Sequence, residues 1–255
     1  MLPFALFRSR MFTGTNLLTF LLYAALGGTL FFLPLNLIQV QHYSPTAAGA
    51  TLLPFILIIS ILSRWAGGLF TRYGPKLPLV IGPLTAAAGY ALFIRPGIGG
   101  SYWSNFLPPV VFLGLGMAIS VAPLTTAVMS SVAENRAGTA SGVNNAVART
   151  AGLIAIAVLG IVMLAVFKGG LERRTAEWRL SASTAQALHS QSTRLAAIPI
   201  PEDQDEPTQQ LIRRAIDESF VAGFRTVMLI GAGLAVAGAI TASLLIGSPG
   251  RGTSV

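Results

Sequence analysis

The chain has 255 residues, of which 53% are hydrophobic and 10% are charged, whereas a soluble domain carries roughly 25% charged residues. The composition argues against a soluble fold, and the absence of cysteine excludes disulfides and thiolate metal sites. The formal charge of +8 does not indicate nucleic-acid binding, because the basic residues stand singly at the ends of apolar runs and form no basic stripe.

Long uncharged runs predict an all-α integral membrane protein. Residues 11–63, 77–94, 96–133, 150–167 and 226–250 contain no Asp, Glu, Lys or Arg, and about 20 apolar residues cross the ~30 Å hydrocarbon core of a bilayer. Glycine, proline and charged residues divide these runs into six transmembrane helices. In chain order the predicted spans are 13–38, 47–70, 77–95, 104–130, 139–166 and 221–246.

Positive charges in the short connections predict the orientation. Only Arg95 falls on one side of the membrane, whereas the other side holds Arg8, Arg10, Arg72, Lys76, Arg136 and Arg251. The positive-inside rule places the richer side, and both termini, in the cytoplasm. Residues 1–12 are then a cytoplasmic lead-in and residues 247–255 a cytoplasmic tail of a protein that crosses the cell membrane several times.

The connection between the second and third spans is a glycine-rich basic turn within "RWAGGLFTRYGPK". Gly67 and Gly68 lack side chains and would let a neighbouring helix come close. Gly74 permits a positive φ, and the proline after it opposes helix continuation. Arg72 and Lys76 are predicted at the headgroup level. This stretch is either a charged turn that fixes the topology or a functional loop signature.

Three polar residues interrupt the fifth predicted span. Arg149 is a cation well inside an apolar run, Asn145 lies one turn earlier, and Asn144 lies five residues earlier, so the three can share a polar face. They would line the cytoplasmic half of a solute pathway, or they would serve packing through Asn–Asn hydrogen bonds and a snorkelling arginine. Both interpretations remain open.

The segment 167–220 differs from the rest of the chain in charge. It holds all but one of the nine acidic residues and seven basic ones, and long loops cross membranes largely regardless of charge. We predict a long, partly helical external loop that acts as a solvated cap, or alternatively binds a partner or attracts substrate. Its basic residues are Lys168, Arg173, Arg174, Arg179, Arg194, Arg213 and Arg214.

Several stretches resemble the major facilitator superfamily of transporters. The glycine-rich turn resembles its loop signature G-x-L-x-D-R-x-G-R-K, with Thr71 in place of the acidic residue and Pro75 in place of a basic one. "LFRSRMF", "FFLPLNLIQVQHYSPTAAGATLLPF" and "GTASGVNNAVARTAG" are similar to the C-terminal part of fourteen-helix EmrB/QacA-type drug:proton antiporters. The resemblance implies six transmembrane helices that form one half, the C-terminal half, of a major facilitator fold, built from two three-helix repeats.

The resemblance also implies which side chains contact a solute, because the first and fourth helices of each half line the central cavity in that family. Aromatic and methionine side chains accommodate varied apolar molecules by repacking. A structural role is the alternative for each residue. The implied solute contacts are Asn16, Tyr23, Asn36 and Gln39 of the first span and Phe112, Met117 and Ser120 of the fourth.

The predicted function is that of half of a multidrug or small-molecule efflux antiporter that works by alternating access. Its partners are membrane lipid, a small lipophilic substrate and a missing N-terminal half in the same or another chain; no nucleic acid and no cofactor is expected. No Asp or Glu lies inside a predicted span, so proton coupling is assigned to the other half. The alternative is a truncated or regulatory membrane fragment without transport of its own.

No enzymatic activity is predicted. Ser141 follows an alanine, which departs from the G-x-S-x-G nucleophile pattern, and neither histidine lies within a predicted span. The metalloprotease pattern H-E-x-x-H is also absent from the sequence. We therefore predict neither catalytic nor metal-binding residues.

Overall fold

Helices are the regular structure of the chain wherever it is described. The computed structural model describes residues 4–178, 180–201 and 204–247. Arg179 of the predicted external loop, the start of the predicted lead-in and most of the predicted tail with Arg251 lie outside the described residues. The helices are α1 (Arg10–Gln39), α2 (Pro45–Ala50), α3 (Leu53–Tyr73), α4 (Lys76–Leu92), α5 (Tyr102–Asn105), α6 (Leu107–Ser130), α7 (Ala137–Glu177), α8 (Ala182–Ser190) and α9 (Glu206–Leu245). Short 3₁₀ helices cover Phe4–Arg8, Glu134–Arg136 and Ser192–Ala197.

Five helical segments among the described residues are long and apolar enough to cross a membrane, as judged by length and composition. They are α1, the segment Pro45–Gly68 that contains α2 and most of α3, and the helices α6, α7 and α9. The apolar helix α4 has 17 residues, which gives it a length of about 25 Å. The all-helical membrane fold predicted from the uncharged runs is therefore confirmed, whereas a sixth span through α4 remains a prediction.

Local side chains explain where several helices begin and end. The Ser9 hydroxyl accepts a hydrogen bond from the Phe12 amide at 3.3 Å and caps α1. Ser44 accepts from the Ala47 amide at 3.2 Å and caps α2, which has a proline at its first position. Gly74 has a φ of 73° between α3 and α4, which confirms the positive φ expected there.

The second predicted span is not one continuous helix. The sequence predicted a helix over 47–70, but α2 ends at Ala50 and α3 begins at Leu53. Pro54 explains the break, because its nitrogen has no hydrogen to donate to the carbonyl of Ala50 four residues earlier. This proline therefore lies in the first turn of α3 and not in a helix interior, unlike Pro83 and Pro123, which lie inside α4 and α6.

The helices α7 and α9 extend well beyond the predicted spans. They contain 41 and 40 residues, so each is about 60 Å long, roughly twice the thickness of a hydrocarbon core. An uncharged run indicates which part of a helix lies in the membrane, but it does not indicate where the helix ends. Arginine, glutamate and glutamine favour a helix in water and can continue it beyond the membrane. The segment 167–220 accordingly contains the end of α7, the whole of α8 and the start of α9.

The long helices pack in a defined order around α4 and α1. The helix α4 lies between α6 and α9, and α3 packs on the far side of α6. The helix α1 packs against α7 and α9, which also contact each other. Buried aromatic rings lie between the end of α4 and α9, where Phe93 and Phe224 meet edge to face with ring centroids 6.2 Å apart.

Glycines allow the backbones of α4 and α6 to touch. A Cβ atom built on Gly116 would lie 2.7 Å from the carbonyl oxygen of Gly82, and one built on Gly89 would lie 2.7 Å from the amide nitrogen of Leu113. Such distances leave no room for a methyl group against rigid backbone. Small residues at a helix crossing are the usual means of tight packing in lipid, where burial of apolar surface gives no net drive to association.

We predict opposite effects of alanine at two glycines. Gly116→Ala should destabilise the protein by about 1–3 kcal/mol, because its methyl group would overlap the backbone of α4. Gly160→Ala should be neutral or stabilising by up to ~1 kcal/mol, since no atom lies within 4 Å of the added carbon and alanine favours a helix. Thermal unfolding of the purified variants in detergent measures both, and equal midpoints would contradict the backbone contact.

Candidate functional site

A polar cluster joins α1 to α7. The side-chain amide of Asn144 donates hydrogen bonds to the Thr19 hydroxyl at 2.7 Å and to the Asn16 Oδ1 at 3.3 Å. Asn16 itself donates to the Phe12 carbonyl at 2.9 Å, and both Asn16 and Thr19 are buried. Because these groups satisfy one another, the cluster acts as a polar link between two helices, as the packing interpretation of Asn144 predicted.

The other two polar residues of the fifth predicted span face away from this cluster. Asn145 and Arg149 are one turn apart on α7, and both are exposed. The structure therefore divides the three residues that the sequence placed on one face: Asn144 turns toward α1, and the remaining two form an accessible polar pair.

The predicted solute contacts of α6 do not share one surface. Met117 and Ser120 are fully buried, and the Ser120 hydroxyl donates to the Gly116 carbonyl at 2.7 Å while it lies against Gly82 of α4. Phe112 is 42% exposed on another side of the helix. In this arrangement Met117 and Ser120 support the α4–α6 packing, and Phe112 remains accessible.

The C-terminal end of α1 is tied to the connection between α4 and α5. Gln41 donates to the Gly97 carbonyl at 2.8 Å and to the buried Asn36 Oδ1 at 3.4 Å, and its own Oε1 accepts from the Gly99 amide at 2.8 Å. The half-buried Gln39 carries a buried Oε1 that has no hydrogen-bond partner among the described residues. Tyr23, nearer the middle of α1, is half-buried.

The basic turn after α3 is partly as predicted. Arg72 is exposed and places its guanidinium carbon 5.4 Å from the ring centroid of Tyr73, while Lys76 is half-buried at the start of α4. A Cβ atom on Gly67 or Gly68 would meet nothing within 4 Å, so the close approach of a neighbouring helix expected there stays a prediction. The glycines that allow close contact lie in α4 and α6.

The sequence placed Arg174, Arg213 and Arg214 in the predicted external loop, but it did not show that they meet other charged residues where α9 contacts the end of α7. The carboxylate of Glu218 accepts from Arg174 of α7 at 3.0 Å and from Arg214 at 2.8 Å. One part of this arrangement was detectable in the sequence: Arg214 and Glu218 are four residues apart, a spacing that allows an ion pair along one helix. We call the following residues the arginine cluster: Arg174, Arg213, Arg214, Asp217, Glu218 and Arg225.

The arginine cluster lines a cavity of about 670 Å³. Asp217 is buried there, and its Oδ1 has no hydrogen-bond partner among the described residues. Burial raises the pKa of this carboxyl to about 6, against the opposing influence of Arg213 and of His42. Burial also acts to raise the pKa of Glu218, but its hydrogen bonds from Arg214 and Arg174 outweigh that effect and lower it.

Comparison with known proteins gives one family and several relatives. The model of the Major Facilitator Superfamily matches residues 2–157, more than half of the chain. The tetracenomycin C resistance and export protein of Streptomyces glaucescens is 32% identical over 169 residues, which are 64% of this chain and 30% of that protein. The tetracycline resistance determinant of Streptomyces rimosus is 32% identical over 171 residues, 67% of this chain and 49% of that protein.

A third relative is the multidrug resistance protein Stp of Mycobacterium tuberculosis. It is 32% identical over 134 residues, which are 52% of this chain and 25% of that protein. The chain thus spans between about a quarter and a half of the length of these curated relatives.

We predict that two adjacent asparagines differ in their effect on stability. Asn144→Ala should lower the free energy of unfolding by about 0.5–2 kcal/mol, because it removes both hydrogen bonds to α1. Asn145→Ala, the matched control, should change it by less than ~0.5 kcal/mol, because that side chain is exposed. Thermal unfolding in detergent gives the comparison; a larger loss in the control would refute the polar link.

We also predict a pH dependence that originates at Asp217. Its pKa is raised from 3.8 to about 6, so the folded protein holds this proton more tightly than the unfolded chain does. The stabilising contribution is complete below pH ~4 and is lost as the pH rises through about 6, with a total of ~3 kcal/mol.

Asp217→Asn should therefore flatten the stability profile between pH 4 and pH 6 and raise the unfolding midpoint above that of the unmodified protein at pH 7.5. Glu172→Gln, which replaces an exposed carboxyl on α7, should keep the original profile. A profile that Asp217→Asn leaves unchanged would show that this carboxyl is not responsible.

Proposed function

The chain belongs to the Major Facilitator Superfamily, and on this premise we propose that its six long helices form one half of a transporter that exports small lipophilic compounds by alternating access. The half works together with a second helical half, in the same or another chain. We assign it as the C-terminal half of a transporter of the fourteen-helix drug:proton antiporter branch.

The single observation that carries the proposal is the similarity to resistance and export proteins. Three relatives, each 32% identical to this chain, are named for resistance to tetracenomycin C, to tetracycline and to multiple drugs. Their names support an apolar or amphipathic small molecule as the transported class.

The order of helix contacts supports two three-helix repeats. Suppose that α1 corresponds to α6, α3 to α7 and α4 to α9. The contact between α1 and α9 then corresponds to the contact between α6 and α4, and both are present. In the same way the contact between α3 and α6 corresponds to the contact between α7 and α1, which is also present. The contact between α4 and α9 corresponds to itself. This correspondence relates helices that run in opposite directions, as inverted repeats in transporters require.

The α7–α9 contact is the main departure from this correspondence, because its counterpart α3–α4 is sparse. The departure is accounted for by the long extensions of α7 and α9, which have no equivalent in α3 and α4. The repeat assignment also supports α4 as a sixth span, since its counterpart α9 is long and apolar enough to cross.

Two helices expose apolar faces that need lipid or another protein surface. On α3, Ile61 is 60% and Trp65 79% exposed; on α7, Leu153 and Ile161 are each 71% exposed. A soluble monomer rarely exposes contiguous apolar surface of this kind. We assign these faces to bilayer lipid and to contact with the second half.

Accessible side chains are the best candidates for solute contact. Phe112, Asn145 and Arg149 are exposed on α6 and α7, and we propose that they face the transported molecule. The buried members of the predicted pathway hold the helices in place instead, whereas Tyr23 and Gln39 are partly accessible. The predicted spans contain no Asp or Glu, so we assign the coupling ion to the second half.

The orientation follows from the positive charges. We propose that both ends of the six-helix unit lie in the cytoplasm and that the turn with Arg72 faces the same side. The extended ends of α7 and α9, with the arginine cluster, then lie outside a bacterial-type cytoplasmic membrane.

The proposal is tested by efflux from a bacterium that lacks its main drug pumps. The chain is expressed alone and together with the coding sequence immediately upstream, and the accumulation of ethidium is followed by fluorescence. Arg149→Gln should reduce efflux about tenfold through loss of a charged contact in the pathway. Arg173→Gln, at an exposed position of the α7 extension, should leave it unchanged.

Efflux that requires the upstream segment and disappears with a protonophore is the expected result. Efflux by the chain alone would refute the assignment of coupling to a second half. If equal amounts of protein reach the membrane and neither form exports ethidium or any of a panel of lipophilic antibiotics, the chain is a fragment without transport activity.

A further inference from the structure

We infer that the cavity of the arginine cluster binds an amphiphile through its anionic group, a carboxylate or a phosphate. The cavity lies between the N-terminal half of α9, the extension of α7 and the connection after α4, at Gly97 and Ile98. It is separate from the pathway proposed above, and most of its lining precedes the predicted span 221–246. The inference therefore does not rest on transport activity.

The charges in the cavity are not balanced. Its lining contains four arginines and two carboxylates, and Glu218 is shared between Arg174 and Arg214. Neither Arg213 nor Arg225 forms an ion pair with a described residue within 4.0 Å. A buried or half-buried arginine without a carboxylate partner is costly, and an anionic ligand would supply the missing partner.

Arg225 is the strongest single indication. One of its terminal nitrogens donates to the carbonyl oxygens of Arg95 at 3.3 Å and of Pro96 at 3.1 Å. Its Nε is buried and has no acceptor among the described residues. Backbone carbonyls fix the orientation of this guanidinium but leave its charge unneutralised, so the side chain is positioned at the cavity wall to receive an oxyanion.

The remaining lining is apolar, which identifies the ligand as an amphiphile. Ile98, Val221 and Ala222 contribute to the wall next to the arginines. The volume of about 670 Å³ is within the ~300–1,000 Å³ of sites for drug-sized molecules, far more than one phosphate or carboxylate needs. The cavity also lies where α9 enters its apolar span, at the depth where a lipid headgroup or a free lipophilic acid is available.

Arg174 and Arg214 have an evident structural role, because Arg174 of α7 pairs with Glu218 of α9 and holds the two helices together, and Arg214 pairs with Glu218 one turn along α9. Arg213 and Arg225 have no such role in an ion pair, and Asp217 opposes an incoming anion. We therefore expect changes in affinity of opposite sign. Removal of Arg213 or Arg225, which form no ion pair with a described residue, weakens binding of the anion, and removal of the Asp217 charge strengthens it.

The test uses the full chain, purified in a nonionic detergent, and the probe dansyl-undecanoic acid, whose fluorescence rises on binding. Arg225→Gln and Arg213→Gln should each weaken binding about tenfold or more, and Asp217→Asn should strengthen it severalfold. Arg173→Gln, at an exposed position outside the cavity lining, should have no effect. The methyl ester of the probe, which has no charge, should not bind at this site.

Thermal unfolding of each variant shows whether it is folded, and Arg225→Lys, which keeps the charge, should retain most of the binding. Equal binding of acid and ester, or weaker binding by Asp217→Asn, would overturn the proposal. Competition in lipid nanodiscs separates the two ligand sources. Displacement of the probe by phosphatidylglycerol but not by phosphatidylcholine identifies a lipid headgroup as the occupant, whereas undiminished binding in both identifies a free lipophilic acid.

Discussion

The backbone contact between α4 and α6 is the constraint on which the rest of the arrangement depends. The helix α4 is the shortest of the six long helices, and it lies between α6 and α9. The axes of α4 and α6 lie very close where glycines face each other. A Cβ atom added to Gly82 or Gly89 of α4, or to Gly116 of α6, would meet backbone atoms of the other helix. With α4 fixed there, α9 is placed on its other face, and α1 and α7 pack in turn upon α9. In lipid this order must come from van der Waals fit and hydrogen bonds, since apolar side chains gain nothing by leaving hydrocarbon for a protein interior.

Polar contacts then supplement this packing at two depths. Within the apolar part, Asn144 reaches across to Asn16 and Thr19 and satisfies amides that would be costly to leave unpaired in hydrocarbon. At the ends of the helices, where water is available, the chain instead uses charge: Glu218 of α9 pairs with Arg174 of α7 and with Arg214 of its own helix. The change from neutral amides to ion pairs follows the change in solvent along the same helices.

Much of the fold could be predicted from the sequence because membrane burial depends on composition alone. The uncharged runs located the apolar helices, and Gly74 with the proline after it located the turn after α3. The break before Leu53 was missed, because Pro54 in an apolar run is compatible both with a kink inside a helix and with the first turn of a new helix. The sequence also did not show which glycines meet another helix of this chain: the surroundings of Gly67 and Gly116 in the sequence are equally apolar, and only the three-dimensional crossing identifies Gly116 as a contact. The division of Asn144 from Asn145 and the meeting of Arg174 with Glu218 depend on contacts between distant segments, which spacing along one helix does not encode.

The distribution of prolines has a mechanical consequence. Pro34, Pro83 and Pro123 lie inside α1, α4 and α6, whereas neither α7 nor α9 has a proline within its interior. A proline removes a hydrogen bond and lets a helix bend; an uninterrupted helix of about 60 Å moves as a stiff rod. A small tilt of α7 or α9 about its midpoint therefore swings its two ends through equal arcs in opposite directions. The ends of these two stiff helices would therefore move farthest in any tilt, while the three proline-containing helices can bend.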